Sequence, residues 1–327
     1  MENLLPFEKI QRNELVKREP ETNLDYGQYP EKRSVEELIN YGIINLDKPS
    51  GPTSHQVSDY VKKILKIEKA GHSGTLDPIV TGVLPIALGN ATRIVEVLLK
   101  TGKEYVALMH IHKKVDEDLI RNNFNELIGK IKQLPPIKSA VKRQLRTREI
   151  YYFEILEINN QDVLFKVGCE AGTYIRKLIF DMGLRLKTQA NMQQLVRTKV
   201  ATFTDKNWHS LHDLKDAYTL YKNDDNEEEI RKVILPIEQA VEHLPKIWVN
   251  DNAVSTLCHG ADLSIPGISK YNNFNENETI AIMTLKDELV CLGKSLVEFN
   301  FIKENEKGKV VKTTKVFMER DLYPKKS

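Results

Sequence analysis

Apolar and polar residues alternate most cleanly at Glu104-Tyr-Val-Ala-Leu-Met-His-Ile-His112. A period of two predicts a strand with Tyr105, Ala107, Met109 and Ile111 on one face and Val106, Leu108 and His110 on the other. Gly42-Ile-Ile-Asn-Leu46 and Leu84-Pro-Ile-Ala-Leu88 are short apolar runs beside turn residues and predict buried strands. Val57, Val61, Ile64 and Leu65 recur at helical spacing, with Ser54 as a candidate cap. Further helices are predicted at Thr92–Leu99, at about 115–130 (Leu119, Phe124, Leu127 and Ile131 near one face) and at about 173–186. Strands are predicted at 150–158 and 162–169. Long strands separated by single helices and by one another predict an α+β fold with a mixed or antiparallel sheet.

The two ends read differently. Residues 1–35 are charged, carry Pro6, Pro20 and Pro30, and predict an extended arm rather than a packed element. Tyr221–Glu229 is polar and acidic, a solvated loop or helix start. From Ile247 onward, short β-like runs (247–249, 279–283, 288–292, 310–317) alternate with Gly and Asn turns. This spacing predicts a small β-rich domain at about 246–323, with 36–245 as the main domain. No internal repeat or low-complexity tract interrupts the pattern.

Composition narrows the class. The 327 residues are 41% hydrophobic and 29% charged, with mean hydropathy −0.41. Formal net charge is only +2, so any nucleic-acid contact must come from local clustering. Cys169, Cys258 and Cys291 form no C-x-x-C pair, which argues against a disulfide framework or a Cys-rich zinc site and fits a reducing compartment. The N-terminus lacks the apolar core of a signal peptide, and no run approaches a membrane span; a cytoplasmic protein is expected.

Three segments are candidates for chemistry. The first is Gly71-His-Ser-Gly-Thr-Leu-Asp-Pro78 with Thr81-Gly82. Pro78 pushes Asp77 toward an extended backbone, and the glycines permit sharp bends or close approach. Asp77 is then a nucleophile or base held in one direction, although an aspartate that only closes its own turn is commoner. The second is Cys169-Glu-Ala-Gly-Thr-Tyr-Ile-Arg176, a strand end running into a helix start. Arg176 sits at the end of the helix that the dipole disfavours for a cation, which calls for a carboxylate or phosphate partner unless it is simply an exposed arginine at a helix start; if it meets Asp77, the pair keeps that carboxylate ionised and fixes its direction. The third is Lys138-Ser-Ala-Val-Lys-Arg-Gln-Leu-Arg-Thr-Arg148, which follows Pro135-Pro136. Its five basic residues, Lys138, Lys142, Arg143, Arg146 and Arg148, include no acidic neighbour and favour a phosphate-binding surface, with Lys187, Arg197 and Lys199 as extensions. His72 shapes a pocket or caps a turn, and Tyr105 alone reads as a core aromatic. His55, His110 and His112 lack trusted metal spacing, and no metal is assigned.

Together these segments resemble the TruB-type pseudouridine synthases, more closely the guide-RNA-dependent branch to which dyskerin-like proteins of H/ACA ribonucleoproteins belong. The matching pieces are Leu46–His55, Gly71–Pro78, Gly102–Val106, Ser139–Arg148 and Cys169–Arg176. His259–Leu263, Pro266–Ile268 and Ala281–Leu289 resemble a PUA domain, an RNA-binding β-barrel. The chain departs from the family where Leu-Arg-Arg-Thr-Arg-Ser-Gly is usual and Leu195-Val-Arg-Thr-Lys-Val-Ala201 stands, and residues 269–278 and 300–309 match poorly.

The resemblance implies an enzyme that isomerises uridine to pseudouridine in rRNA, and in tRNA as a further target, without a cofactor. It implies Asp77 as the catalytic residue and Tyr105 against the flipped base. Arg176 is paired with Asp77, and His72, Tyr174 and Leu195 shape the pocket. The basic segment becomes a thumb over the RNA. The implied partners are a guide RNA, a substrate RNA and small H/ACA accessory proteins, with no membrane. A stand-alone tRNA synthase and a non-catalytic RNA-binding scaffold are the competing expectations.

Overall fold

The computed structural model describes residues 3–135 and 142–324. The chain runs β1 (Glu14–Val16), α1 (Val35–Tyr41), β2 (Gly42–Lys48), α2 (Ser54–Leu65), β3 (Ala70–His72), β4 (Thr81–Leu88), α3 (Val95–Leu99) and β5 (Lys103–Ile111). It continues with α4 (Glu117–Glu126), β6 (Gly129–Gln133), β7 (Arg146–Asn159), β8 (Asp162–Cys169), α5 (Ile175–Arg185), β9 (Ala190–Val200) and β10 (Phe203–Thr204). Then come α6 (Leu211–Asp224), α7 (Glu228–Val233), β11 (Ile234–Pro236), β12 (Lys246–Val249), α8 (Asp251–Cys258) and β13 (Leu263–Ser264). The last elements are β14 (Ile268–Asn272), β15 (Thr279–Thr284), β16 (Leu289–Ser295), α9 (Asn300–Glu304) and β17 (Lys309–Val316).

Two compact units emerge. One holds the residues up to Lys9, Ile44–Ala87 and Thr92–Val233; the other holds Ile10–Ile43, Leu88–Ala91 and the chain from Ile234. In the first unit the sheet order is β2-β4-β9-β5-β8-β7-β6, with β3 on β4 and β10 on β9. The β4–β9 pair is parallel, while β9–β5, β5–β8, β8–β7 and β7–β6 are antiparallel, giving a mixed sheet. The alternation of β5 is realised: Tyr105, Ala107, Met109 and Ile111 are buried, with Phe165, Val167, Leu178 and Ile179 in the same core.

Several elements differ from the pattern-based expectation. The 92–99 segment opens as a 3-10 turn over Gly89–Ile94, and only its second half is α-helical. In α4 the Asp116 cap sets the phase, so Ile120 and Phe124 are buried, whereas Leu119 is 48% exposed and Ile131 belongs to β6. The acidic 221–229 stretch is the end of α6, a short loop and the start of α7. Ala201, where the resembling family carries glycine, is buried in the β9–β10 turn at φ 50°. That left-handed backbone costs a residue with a Cβ about 1 kcal/mol.

In the second unit the sheet order is β1-β14-β12-β15-β16-β17-β13, antiparallel throughout except for β12–β15. Ile247, Ile268, Ile280, Ile282, Val290 and Val310 form its core. The N-terminal arm is extended, but it is not unpacked. Glu14–Val16 pairs with Lys270–Asn272 as an edge strand, and Lys17 and Arg18 donate backbone N–H groups to Ser269 O. Backbone pairing does this work, so the exposed-intermediate-exposed side chains of β1 carried no apolar signal.

Candidate active site

The Asp77 loop is held from behind by residues distant in sequence. The cap of α2 is Thr53, which forms a capping box with Gln56, rather than Ser54. Ser54 is thereby free to clamp the residue before Asp77: its Oγ accepts from Leu76 N (2.9 Å) and donates to Leu76 O (3.2 Å). Lys48, at the end of β2, is fully buried, and its Nζ donates to Pro49 O, Pro78 O and Val80 O at 2.9, 3.0 and 2.9 Å. Gly51 N also reaches Pro78 O (2.9 Å), and Val80 N closes a turn onto Asp77 O (3.0 Å). Backbone on both sides of Asp77 is fixed, yet its side chain is 53% exposed.

That exposed carboxylate accepts from Arg176 Nη2, from the first turn of α5. The helix start is itself located by Gln133, whose side chain accepts from Tyr174 N (3.0 Å) and donates to Tyr174 O (3.2 Å). Asp77 and Arg176 lie 99 positions apart in the chain and meet because the β8–α5 connection faces the loop after β3.

Beneath the loop lies Arg197 of β9, only 1% exposed. Its Nε donates to Val83 O (2.7 Å) and its Nη2 to Gly74 O (3.2 Å), and its charge acts on the Tyr105 hydroxyl. Tyr105 is opposite Arg197 in the β5–β9 register and 8% exposed; burial pushes its hydroxyl pKa up, so it is protonated at neutral pH. At Gly82 (φ +105°) a Cβ would stand 2.3 Å from Arg197 O, so the close approach of β4 to β9 requires glycine. Arg197 was expected on a phosphate-binding surface; the structure corrects this, because its charge is spent on backbone carbonyls inside the fold. Lys199 pairs with Glu8 (2.7 Å), and Lys187 is exposed.

His72 is half-buried. Its Nδ1 accepts weakly from Gly74 N (3.4 Å), and its ring meets that of His55 edge-on at 4.8 Å. Burial, then His55 and Arg197, push His72 down to about 4, so the ring is neutral at pH 7. Its Nε2 has no hydrogen-bond partner among the described residues. Leu195, opposite Ala107, packs against the core of this unit. Asp77 and Arg176 thus pair directly, His72 and Arg197 both bond to Gly74 three positions before Asp77, Tyr105 faces Arg197 across the β5–β9 register, and Tyr174 and Leu195 enter by position beside α5 and on β9.

The basic segment is heterogeneous. Lys138 lies outside the described residues. Lys142 and Arg143 are exposed. Arg146 Nη2 reaches Lys142 O (3.4 Å), and Arg148 ion-pairs with Glu170 (3.5 Å) and lies against Gly172. His110 is bonded to Asp162 (2.6 Å) and His112 to Asn191 (2.7 Å). No helix of the described residues is long and apolar enough to cross a membrane.

The roles of Lys48 and Gln133 escaped the sequence reading, and Ser54 and Arg197 entered it only as a helix cap and a surface cation. Lys48 and Ser54 stand within Leu46–His55, yet nothing in their spacing says that both reach a loop more than twenty residues on. The Lys48→Met substitution keeps the length and removes three donors. It is expected to lower stability by about 2–4 kcal/mol, from carbonyls left unsatisfied in a buried site. Chemical denaturation measures this, and a change below about 0.5 kcal/mol would contradict the clamp.

Family models match along the chain. The TruB family pseudouridylate synthase N-terminal domain covers 62–175, and the tRNA pseudouridylate synthase B C-terminal domain covers 176–242. The DKCLD (NUC011) domain covers 3–58, and the PUA domain covers 245–317. A Pyrococcus furiosus protein named probable tRNA pseudouridine synthase B is 55% identical over 325 residues, 98% of this chain and 95% of that one. A Methanothermobacter thermautotrophicus protein of the same name is 50% identical over 317 residues, 97% of this chain and 98% of that one. Among solved structures, a chain of an H/ACA RNP bound to a substrate RNA containing 2'-deoxyuridine superposes with TM-score 0.94 at 52% identity, over 99% of this chain and 100% of that one. A chain of a Cbf5-Nop10-Gar1 complex gives TM-score 0.94 at 55% identity, over 98% of each.

Proposed function

This chain belongs to the TruB family of pseudouridylate synthases, and from that premise we propose that it isomerises uridine to pseudouridine in RNA as the catalytic subunit of a guide-directed ribonucleoprotein. The observation that carries the reading is the Asp77 carboxylate, half-exposed and held by Arg176 on a loop whose backbone is pinned by the buried Lys48 and Ser54. A preorganised carboxylate open to solvent suits a reaction on a bulky polymer rather than on an enclosed small molecule.

The target nucleotide leaves its stack, at a cost of a few kcal/mol, which is roughly what base extrusion requires. The bond between ribose C1' and uracil N1 breaks, and its electron pair goes to the base. The base turns, C5 bonds to C1', the C5 proton is lost and N1 gains one, so composition is unchanged. Asp77 acts on the ribose, either by adding to C1' as the base departs and leaving as C5 bonds there, or by taking a ribose proton and returning it after C5 has bonded, while Arg176 aims the carboxylate by a charge-assisted bond. Tyr105 packs on the freed base. His72, neutral and with Nε2 unpaired, together with Tyr174 and Leu195, shapes the pocket.

The H/ACA RNP and the Cbf5-Nop10-Gar1 complex support the choice of partners: a guide RNA, the substrate RNA and small accessory proteins of the Nop10 and Gar1 kind. Target choice is then delegated to base pairing, and the protein needs phosphate and shape contacts. The PUA domain holds the guide's end, the exposed part of the basic segment contacts phosphates, and the particle works in the cytoplasm. Replacing Lys142 and Arg143 by alanine is expected to weaken RNA binding and to reduce the slope of log affinity against log salt by about one per lost contact. Titrations across a salt series measure it, and an unchanged slope would remove the segment from the interface.

A second reading, stand-alone modification of tRNA, draws on the name of the Pyrococcus furiosus relative. Release of tritium from RNA carrying 5-tritiated uridine separates the two. Release only with hairpin guide and accessory proteins supports the ribonucleoprotein. Release from tRNA by the chain alone supports the second reading, and none under any condition overturns both.

A further inference from the structure

Three cations are buried under the Asp77 loop with no carboxylate in ion-pair contact among the described residues, although the Asp77 charge acts on Lys48. Lys48, Lys103 and Arg197 are 0, 6 and 1% exposed. Among the described residues, Lys48 Nζ donates to the carbonyls of Pro49, Pro78 and Val80 alone, and Lys103 Nζ to those of Leu98, Leu99 and Thr101 alone, at 3.0, 3.1 and 2.7 Å. Arg197 meets two carbonyls and faces Tyr105 across the β5–β9 register. The nearest acidic influence is that of Asp77, whose charge partly offsets the burial of Lys48.

Two of these side chains converge on one point of the loop. A Cβ placed on Gly74 would lie 3.8 Å from Arg197 Nη1 and 3.9 Å from Lys103 Cε. Gly74 is three positions before Asp77, and its N–H donates to His72 Nδ1. The arrangement is costly. Burial, then the charge of Arg197, push Lys103 down to about 7 and hold Lys48 below its ordinary value. Unpaired buried charges of one sign are rare unless function retains them. Backbone carbonyls satisfy the donors but do not neutralise the charge, so the field of Lys48 and Arg197, joined by Lys103 in its protonated form, extends toward the loop.

We propose that Lys48, Lys103 and Arg197 form a positive field beneath the catalytic loop that stabilises the negative charge developing on uracil as the glycosidic bond breaks. The bond electrons pass from C1'–N1 to the base, and a fixed cationic floor in place before the reaction lowers the energy of that uracilate. The three side chains act through this field without touching the substrate, as positioning residues for charge. The inference rests on the isomerisation reading and adds to it a source of leaving-group stabilisation.

The test uses the complete enzyme with its RNA partners in single turnover, comparing targets that carry uridine or 5-fluorouridine. Fluorine withdraws electrons and makes the base a better leaving group, so it needs the field less. Loss of the starting nucleoside is read by chromatography after digestion. Lys103→Gln, which keeps hydrogen-bond donors and drops the charge, is expected to slow uridine turnover about 10- to 100-fold. It should slow 5-fluorouridine turnover by a markedly smaller factor, and Lys103→Arg should restore the uridine rate. If Lys103→Gln does not fold, Arg197→Gln is read by the same ratio. Equal slowing on both targets, or weaker RNA binding with an unchanged rate, overturns the field. Wild-type enzyme that consumes no uridine overturns the isomerisation reading instead.

Discussion

The Asp77→Asn enzyme is expected to lose isomerisation by about 10⁴-fold or more while binding RNA within a few-fold of wild type. The scale is that of removing a group that acts on the reacting atoms themselves. Asparagine keeps the shape of the side chain, so packing is unchanged. The loop does not depend on the carboxylate for its conformation. Leu76 is clamped by Ser54, Pro78 and Val80 by Lys48, and Gly74 by Arg197. Loss of the Arg176 pair costs little stability, because both side chains are 53% exposed and such pairs contribute about 0–1 kcal/mol. Tritium release in single turnover and equilibrium RNA binding separate chemistry from affinity. A variant that releases tritium at the wild-type rate would end the case for Asp77, and one that fails to bind RNA would mean the loop had moved.

Much of the first unit was legible because its signals are local. The alternation of β5 follows from two-residue periodicity, and the Val57–Leu65 face from helical spacing. The meeting of Asp77 with Arg176 was anticipated only as a conditional, from an arginine at an unfavourable helix end. Pattern could not reveal β9, which lies between β4 and β5 in the sheet. Its Met192-Gln-Gln-Leu-Val-Arg197 run places a cation where a core strand normally places an aliphatic residue. Arg197 is bonded to carbonyls 114 and 123 positions away, and no local rule records that enclosure. The arm failed for a different reason. An edge strand joined through backbone groups needs no apolar stripe, and the charges of Lys17 and Arg18 suggested solvent where the fold supplies Glu306. Hydrogen bonding to distant backbone, rather than apolar packing, links Lys48, Ser54, Gln133 and Arg197, and the two cations among them set the electrostatics of the proposed site.

Within the second unit, Arg33→Met is expected to destabilise by about 3–5 kcal/mol, the range for breaking a buried ion pair from one side. Arg33 and Glu238 are 6 and 7% exposed and bond through both arms, Nη1 to Oε2 at 2.7 Å and Nη2 to Oε1 at 2.8 Å. Glu238 Oε1 also accepts from Leu289 N (2.9 Å), and the guanidinium lies 5.3 Å from the centroid of the Tyr41 ring. Burial disfavours the Arg33 charge, but the bond and charge of Glu238 outweigh it, and the guanidinium pKa is raised. Removing Arg33 therefore leaves a carboxylate inside the fold with one backbone N–H for company. Glu238→Gln should be similarly costly, because it leaves the cation unmatched. The double variant Arg33→Met/Glu238→Met should recover much of the loss, since a well-packed apolar pair avoids desolvating two charges. Trp248 lies in this unit and Trp208 in the other, so urea titrations by fluorescence in a Trp208→Phe background follow this unit. Single variants that cost less than about 1 kcal/mol, or a double variant as unstable as the two losses summed, would show that the pair is not energetically coupled.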